Sequence, residues 1–442
     1  MAARSPSPDS LPPWADVDAA ITAEADAAFE LLARLVRAPS TVGREADAQE
    51  IVAGELARLG FEVHRVPTPA ETAAVAPAGV AQASYAGRPN VAGWINRGGR
   101  PSLLLNGHID VVPAEAGLWS ADPFLPQVRD GWLTGRGAGD MKGGIVMGLL
   151  AVAGLRHAMP QAITGELSFA SVIEEECTGN GTLSAANAGI LSDAVVLLEP
   201  TDLSLLIGGV GILWIEITLF GIAAHAESAD RVVNPVNSIP VILAALGEFE
   251  DQMRESAADP ALDGIAIPYN VNVGTVRAGD WPSSVPGRAV LGVRVGFPRA
   301  WTPGEALERL TAAINAAAAR DPWLAAHPPA IRETGFRAEG FLLDHDHPLA
   351  TSMARAHAAA HGEKPRQVVL GATTDARYYL NQFGRPALAY GPVARNIHAA
   401  DEAVQLASIV RGARTLARFI ASYYAEGGLA RQARPASEVM HD

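Results

Sequence analysis

The strongest constraint on this chain's fold is an alternation. Strand-like apolar runs, SLLLNG, ELSFASVI and DAVVLLE, are set around the helix-period stretch MKGGIVMGLLAVAGLRHAM. Short apolar strands alternating with helices form a mainly parallel sheet covered by those helices. Two helical stretches come first. In DAAFELLARLVRAPS, Phe29, Leu32, Leu35 and Val36 share one face before Pro39 ends the helix. AQEIVAGELARLGFEVHRV reads as a helix closing at Gly60, then a strand. The Ala/Pro-rich piece from Pro67 to Gly87 reads as a mobile loop.

At Gly211 the texture changes. ILWIEITLFG (strand), NPVNSIPVILAALGEFEDQM (helix), YNVNVGTVRAG and AVLGVRVGF (strands) and TPGEALERLTAAINAAAARD (helix) follow, with a closing strand expected near Ile331. That order describes an inserted α+β, ferredoxin-like domain. Helix (PLATSMARAHAAAHG) and strand (PALAYG) then resume the first domain. With 442 residues, more than one core usually holds, two domains are expected. The fold class is therefore α/β, a mainly parallel-sheet domain in two parts, 15–210 and 337–432, around an insert at 211–336.

A formal charge of −14 argues against nucleic acid or an anionic membrane as the main partner. The apolar stretch from Val195 to Phe220 contains Glu199, Pro200, Asp202 and Glu216, so it reads as buried strands, with no membrane span expected. The opening MAARSPSPDSLPPW lacks an apolar signal core and reads as a loose tail. The one cysteine, Cys177, excludes an intramolecular disulfide and suits a reducing cytoplasm.

Sites in such sheets form at the carboxyl ends of strands. There stand His108 and Asp110 after SLLLNG, Glu174, Glu175 and Glu176 after SFASVI, Glu199 after AVVLL, and His398 after PALAYGPVARNI. Asp140, in GRGAGDMKGG, lies where a helix begins. One such residue alone is usually a cap or a solvated loop side chain. Five positions with ligand-capable groups together suggest an oxygen/nitrogen metal site suited to zinc. GRGAGDMKGG lacks the spacing of a phosphate-binding loop. HAAAH (His357, His361) lacks the Glu of HExxH and reads as a solvent-facing helix, while His345 and His347 of DHDHP read as surface residues.

The stretches LLLNGHIDVVPA, WSADPFLPQVRDGWLTGRGAGDMKGG, IEEECTGNGT, LLEPT, GATTDARYY and NIHAADEAV, in this order, resemble the motifs of a two-zinc metallopeptidase family. That family holds acetylornithine deacetylase, succinyl-diaminopimelate desuccinylase, aminoacylase and the glutamate-releasing carboxypeptidases. The resemblance runs from about Phe29 to the C-terminal helix and implies a zinc-bearing domain with an inserted lid and dimerisation domain. It implies two divalent ions, zinc first and cobalt second. His108 would bind one ion and His398 the other, Asp140 would bridge them, and Glu199 would complete the second ion's shell. Asp110 would hold the His108 imidazole. Alignment on Phe169 makes Glu174 a leading acid, Glu175 the general base and Glu176 a ligand; a register one residue earlier would make Glu174 the base. A carboxylate held by a cation has too little basicity left to take a proton, so base and ligand must differ. A cis bond after Asp140 is also implied.

The implied reaction is amide hydrolysis of a small-molecule substrate, an N-acyl amino acid or acylated amine. WPSSVP, RVGFP and EEECTGNG look like a branch that includes N-formyl deformylases. The alternative is a dipeptidase or carboxypeptidase on the same metals. Substrate carboxylate would meet Arg294 in GVRVGF; Arg377 could serve instead or pair with Asp375 as scaffolding. His225, in GIAAHAESAD, would stabilise the oxyanion from the partner subunit of a lid-mediated homodimer.

Overall fold

The computed structural model describes residues 14–429. All of the opening segment except Trp14, and residues 430–432 of the expected second part of the larger domain, lie outside the described residues. The larger sheet is parallel at its centre, where Glu166–Val172, Ser102–His108, Ala194–Leu197 and Ala387–Ala389 lie side by side. Antiparallel neighbours flank them, Asn90–Ile95 and Glu62–Val66 on one side and Leu205–Gly209 on the other. Ser102–His108 is buried along its whole length, which suits its run of three leucines, Leu103 to Leu105.

Helix Gly143–Ala158 packs against helices Trp14–Ala23, Ala25–Arg37 and Leu406–Ala425. The stretch Ala138–Ala158 is long and apolar enough by composition to cross a membrane, but 94% of its most apolar window is buried inside the protein. Apolar residues all round it thus serve a packed core helix. Just before it, the Lys142 ammonium is buried and donates to the carbonyls of Leu35 (2.7 Å) and Ala38 (3.1 Å). A cation at the open carbonyls of Ala25–Arg37 ties that helix end to the turn that carries Asp140.

From Gly211 the chain builds a second, wholly antiparallel sheet in the order Val271–Ala278, Arg288–Phe297, Gly211–Phe220, Ala330–Ala338. The helices Ile239–Ser256 and Pro303–Ala318 connect and cover it; the second starts with a reciprocal cap between Thr302 and Glu305. Leu213, Ile215, Ile217 and Leu219 join Ile242, Phe249, Leu310 and Ile314 in a core separate from that of the larger domain. Strand alternation turns Trp214 and Glu216 to the opposite face. The chain returns through Phe341–Leu342, antiparallel to Leu205–Gly209. The parallel-centred sheet and the inserted α+β domain read from the sequence are both present.

Within the Pro67–Gly87 loop, Gly79 and Val80 are tied to both domains. Gly79 exchanges two 2.9 Å hydrogen bonds with the Asn180 side chain, and Val80 N donates to Gly335 O across the two domains (2.7 Å). It holds because its backbone groups find partners on both sides.

Candidate metal centre

The ends of the parallel strands bring six ligand-type side chains together. His108 closes its strand, Glu175 and Glu176 follow Glu166–Val172, Glu199 follows Ala194–Leu197, and His398 lies on the loop after Ala387–Ala389. Asp140 sits on a wide turn, Ala138–Lys142, ahead of the helix at Gly143, and the Asp140–Met141 peptide is cis. Asp140 reaches both imidazoles: its Oδ1 is 3.1 Å from His108 Nε2 and its Oδ2 3.4 Å from His398 Nε2. Glu199 Oε2 lies 3.8 Å and Glu175 Oε2 3.9 Å from His108 Nε2, and Glu176 lies 3.0 Å from His398 Nε2. Two overlapping groups of donors result, His108 with Glu175 and Glu199, and His108 with Asp140 and Glu176.

This geometry corrects one assignment. Glu199 was expected beside His398, but its carboxylate stands by His108, because Ala194–Leu197 pairs directly with Ser102–His108 and ends beside it. The His398 group is completed by Glu176.

The donor set fits divalent cations. Among the described residues, no Lys or Arg lies within 4.0 Å of Asp140, Glu175, Glu176 or Glu199, although all four are largely buried. Burial pushes Glu199 up to about 8 and Glu175 well above the usual carboxylate range. Burial would raise Asp140 too, but hydrogen bonds from His108 and His398 hold it low. Burial opposes protonation of His398, yet Glu176 and Asp140 raise it to about 11. Burial disfavours the charged carboxylates, and the two imidazoles offset only part of the negative charge; two dications would supply the rest.

The glutamate triplet divides its work. Glu174 has the left-handed backbone (φ 60) that turns the chain out of the strand. Its fully buried carboxylate accepts from Arg88 Nη1 (3.0 Å), Tyr85 Oη (3.0 Å) and Thr178 Oγ1 (2.9 Å), away from the donor cluster. Arg88 also grips Glu45 through Nε (2.7 Å) and Nη2 (2.6 Å). A non-glycine residue in this region costs on the order of 1 kcal/mol, which the clamp offsets. With Glu174 spent on Arg88, only Glu175 and Glu176 face the site.

Asp110 acts differently from expectation. The His108 Nδ1 proton goes to its backbone carbonyl (2.9 Å), while its carboxylate stands 3.7 Å from that nitrogen. A carbonyl only accepts, so Nδ1 carries the proton and the Nε2 lone pair is left for a metal. The carboxylate instead takes Glu175 N and Glu176 N, both at 3.1 Å, and so fixes the turn. Glu402 does the same for Asp140: its Oε1 accepts from Gly139 N (2.9 Å) and Asp140 N (3.0 Å), and its other oxygen is held by Arg136. Arg88, Glu45, Tyr85 and Arg136 were not singled out in the sequence. Glu402 was inside a quoted motif, NIHAADEAV, but only its neighbourhood to Asp140 reveals its use.

Above these donors is a cavity of about 390 Å³ that reaches the inserted domain. Arg294, on Arg288–Phe297, lines it and, among the described residues, donates only to the carbonyls of Asn270 (3.3 Å) and Gly371 (3.0 Å). Arg377 does not line it. Its buried guanidinium donates to Thr374 O (2.9 Å) and Thr178 O (3.0 Å), lies 3.3 Å from Asp375 and stacks on Tyr378, so its substrate-binding reading is replaced by scaffolding. His225 is exposed, in a two-residue strand paired with Ser284–Val285, and is not part of the cavity within one chain. The HAAAH helix also differs from its reading. His357 is buried and bonds Tyr390 Oη (2.8 Å), and His361 bonds Thr415 (2.9 Å), because the Ala-flanked face packs against Leu406–Ala425.

The family model for peptidase family M20/M25/M40 matches residues 104–422. A succinyl-diaminopimelate desuccinylase of Methylobacterium radiotolerans is 30% identical over 414 residues, covering 90% of this chain and 97% of that protein. Among solved structures, the dipeptidase Dug1p of Saccharomyces cerevisiae superposes with a TM-score of 0.77 at 15% identity, covering 93% of this chain and 98% of that one. A dinuclear metal-binding peptidase of Bacillus subtilis gives 0.58 at 15% identity, covering 92% and 99%.

Proposed function

Since the chain belongs to peptidase family M20/M25/M40 and is a metal-dependent amide hydrolase, we propose that it cleaves small N-acyl amino acids or acylated amines at a pair of zinc ions. The observation that carries this reading is Asp140 in contact with both imidazoles, 3.1 and 3.4 Å away, inside a buried acidic cluster that no Lys or Arg neutralises among the described residues. His108, Asp140 and Glu199 would hold one ion, and Asp140, Glu176 and His398 the other. When bound, the ions supply Lewis acidity to the substrate carbonyl and to the attacking water.

The remaining work falls to the chain's own groups. Glu175, kept basic by burial, takes a proton from water as the new C–O bond forms. It returns that proton to the amine nitrogen as the C–N bond breaks. Asp110 and Glu402 hold the backbone of Glu175, Glu176 and Asp140 in place while charge moves. Arg294 receives the substrate carboxylate. His225 of the partner subunit donates to the oxyanion in a homodimer formed through the inserted domain; its exposure, and its distance from the cavity in its own chain, support that reading.

Chelation followed by dialysis tests the metal requirement. Hydrolysis of N-acyl amino acids should vanish and return with two equivalents of zinc or cobalt, counted by elemental analysis. Full activity with one ion, or with none, refutes the two-ion centre.

A further inference from the structure

The two imidazoles of the centre are held in different ways. His108 is buried, and its Nδ1 proton goes to the Asp110 carbonyl at 2.9 Å. The His398 side chain is half exposed, and among the described residues its Nδ1 has no hydrogen-bond partner; only Nε2 is engaged, by Glu176 and Asp140. A metal-binding imidazole is ordinarily aimed by a group on its second nitrogen. For His398 the aim must come from the backbone that carries it.

That backbone is strained. The loop joins the antiparallel pair Ala394–Arg395 and Ala403–Gln405, and three of its residues, Asn396 (φ 55), His398 (φ 63) and Asp401 (φ 56), are left-handed without being glycine. Such a loop keeps its shape only where its surroundings enforce it. The enforcing contacts come from the stretch WSADPF, which lines no part of the metal cavity. Ser120 donates twice to the Asp401 carboxylate, from N to Oδ1 (2.9 Å) and from Oγ to Oδ2 (2.6 Å). Asp401 O accepts from Asn396 Nδ2 (3.2 Å), and Asn396 O accepts from Ala399 N (2.9 Å), which closes the loop around His398. The buried Arg136 guanidinium joins the same two stretches: it donates to Ala399 O (3.3 Å) and lies 5.1 Å from the Trp119 ring.

We propose that Ser120 and Asp401 are positioning residues for His398, which set the affinity of the ion this imidazole binds and leave the His108 ion unaffected. This rests on the two-ion reading of the centre. A hydroxyl and a backbone amide on one carboxylate engage both its oxygens, and so fix the Asp401 side chain and the direction in which the loop leaves it. Without them the loop relaxes out of the left-handed region and carries Nε2 away from Glu176, now at 3.0 Å, and Asp140, now at 3.4 Å. His108, with its own carbonyl and its place at the end of a buried strand, has no such dependence.

Metal affinity, rather than turnover, tests this. Zinc is titrated into metal-free protein against a chromophoric chelator, and the two dissociation constants are compared among variants; His398→Ala identifies which constant belongs to its ion. Asp401→Gly removes the anchor and the strain at that residue together. It should weaken the His398 ion at least about tenfold, the usual effect of losing a group that supports a ligand. Ser120→Ala, which keeps the amide donor, should weaken it about threefold. Ser120→Thr, which keeps the hydroxyl, should match wild type. The other constant and the melting temperature of the metal-free protein should stay unchanged throughout. Hydrogen exchange at Ala399 N in metal-free protein should speed at least about tenfold in Asp401→Gly as the loop opens. If Asp401→Gly melts lower, Ser120→Ala and Ser120→Thr decide. Wild-type affinity for the His398 ion in Asp401→Gly, equal weakening of both ions, or unchanged exchange at Ala399 overturns the proposal. Fewer than two ions in wild-type protein overturns the two-ion reading itself, and this role for Ser120 and Asp401 with it.

Discussion

The donor cluster of the larger domain and the part of the cavity lining that the inserted domain supplies, Ile212, Trp214, Arg294 and Phe336, are built on opposite plans. Around the donors the turns that carry them are fixed: Glu174 is held by Arg88 and Tyr85, the backbone of Glu175 and Glu176 by Asp110, and the backbone of Asp140 by Glu402. On the inserted domain, Arg294 donates only to carbonyl oxygens among the described residues, and His225 is exposed to solvent. Groups that must hold ions at fixed separation are preorganised within one chain. Arg294 and His225, which we propose meet the substrate, keep bonding capacity in reserve and sit on a domain with its own core.

The sharpest way to break this division is inside the glutamate triplet. Glu175→Gln should lose about 10²–10⁴ in kcat, the usual contribution of a general base, with two metals retained and thermal stability unchanged. Glu174→Gln should do the reverse at first sight: it weakens the clamp to Arg88, lowers the unfolding temperature, and affects kcat only as the turn loosens. Measured kcat, metal content and melting temperature for both variants separate the outcomes. If Glu174→Gln instead abolishes turnover at normal stability, base and ligand are assigned one residue too late.

His225 probes the inserted domain. His225→Ala should lower kcat by about 10²–10³, the effect of removing one oxyanion donor, without changing metal content. Mixing this protein with Glu175→Gln chains should restore part of the activity, since one site in each heterodimer then has both groups intact. A verified heterodimer without recovery would mean that His225 acts in its own chain or not at all.

Much of the donor cluster was legible because it is local. A polar residue just beyond an apolar run marks a strand end, and strand ends converge in a parallel sheet, so His108, Glu175, Glu176, Glu199 and His398 could be named before their distances were known. What failed to show was pairing. Nothing in the sequence near Arg88 points to Glu45 or to Glu174, 43 and 86 residues away. For Arg377 the sequence leaves substrate binding and scaffolding both open, until the fold brings Thr178 O to it from 199 residues away. Glu199 was matched to the wrong imidazole because adjacency of strands, not order in sequence, decides its neighbour. The Ala-rich face of Pro348–His361 gave no contrast between inside and outside, so His357 was read as exposed.

That last misreading yields the smallest predicted effect, and it sharpens the contrast between the domains. His357 and His361 form a polar pair with Tyr390 and Thr415 beneath the helix Leu406–Ala425 of the larger domain. Burial lowers both imidazoles, His361 to about 4. A histidine with a depressed folded value binds protons more readily when unfolded. Its contribution is therefore complete above about pH 6.5 and is lost as pH falls through the window toward 4. Because His361 is partly exposed, solvent screening cuts the effect to on the order of 1 kcal/mol. Denaturant unfolding at pH 7, 5.5 and 4 should show wild type losing more stability than His361→Gln by about that amount. Other acid-labile groups, metal ligands included, are common to both proteins, so the difference between them isolates this pair. Identical slopes would show that the imidazole stays neutral, or charged, in both states. The acid sensitivity of the larger domain would then come from its other groups, the donor cluster and paired carboxylates such as Asp193 among them.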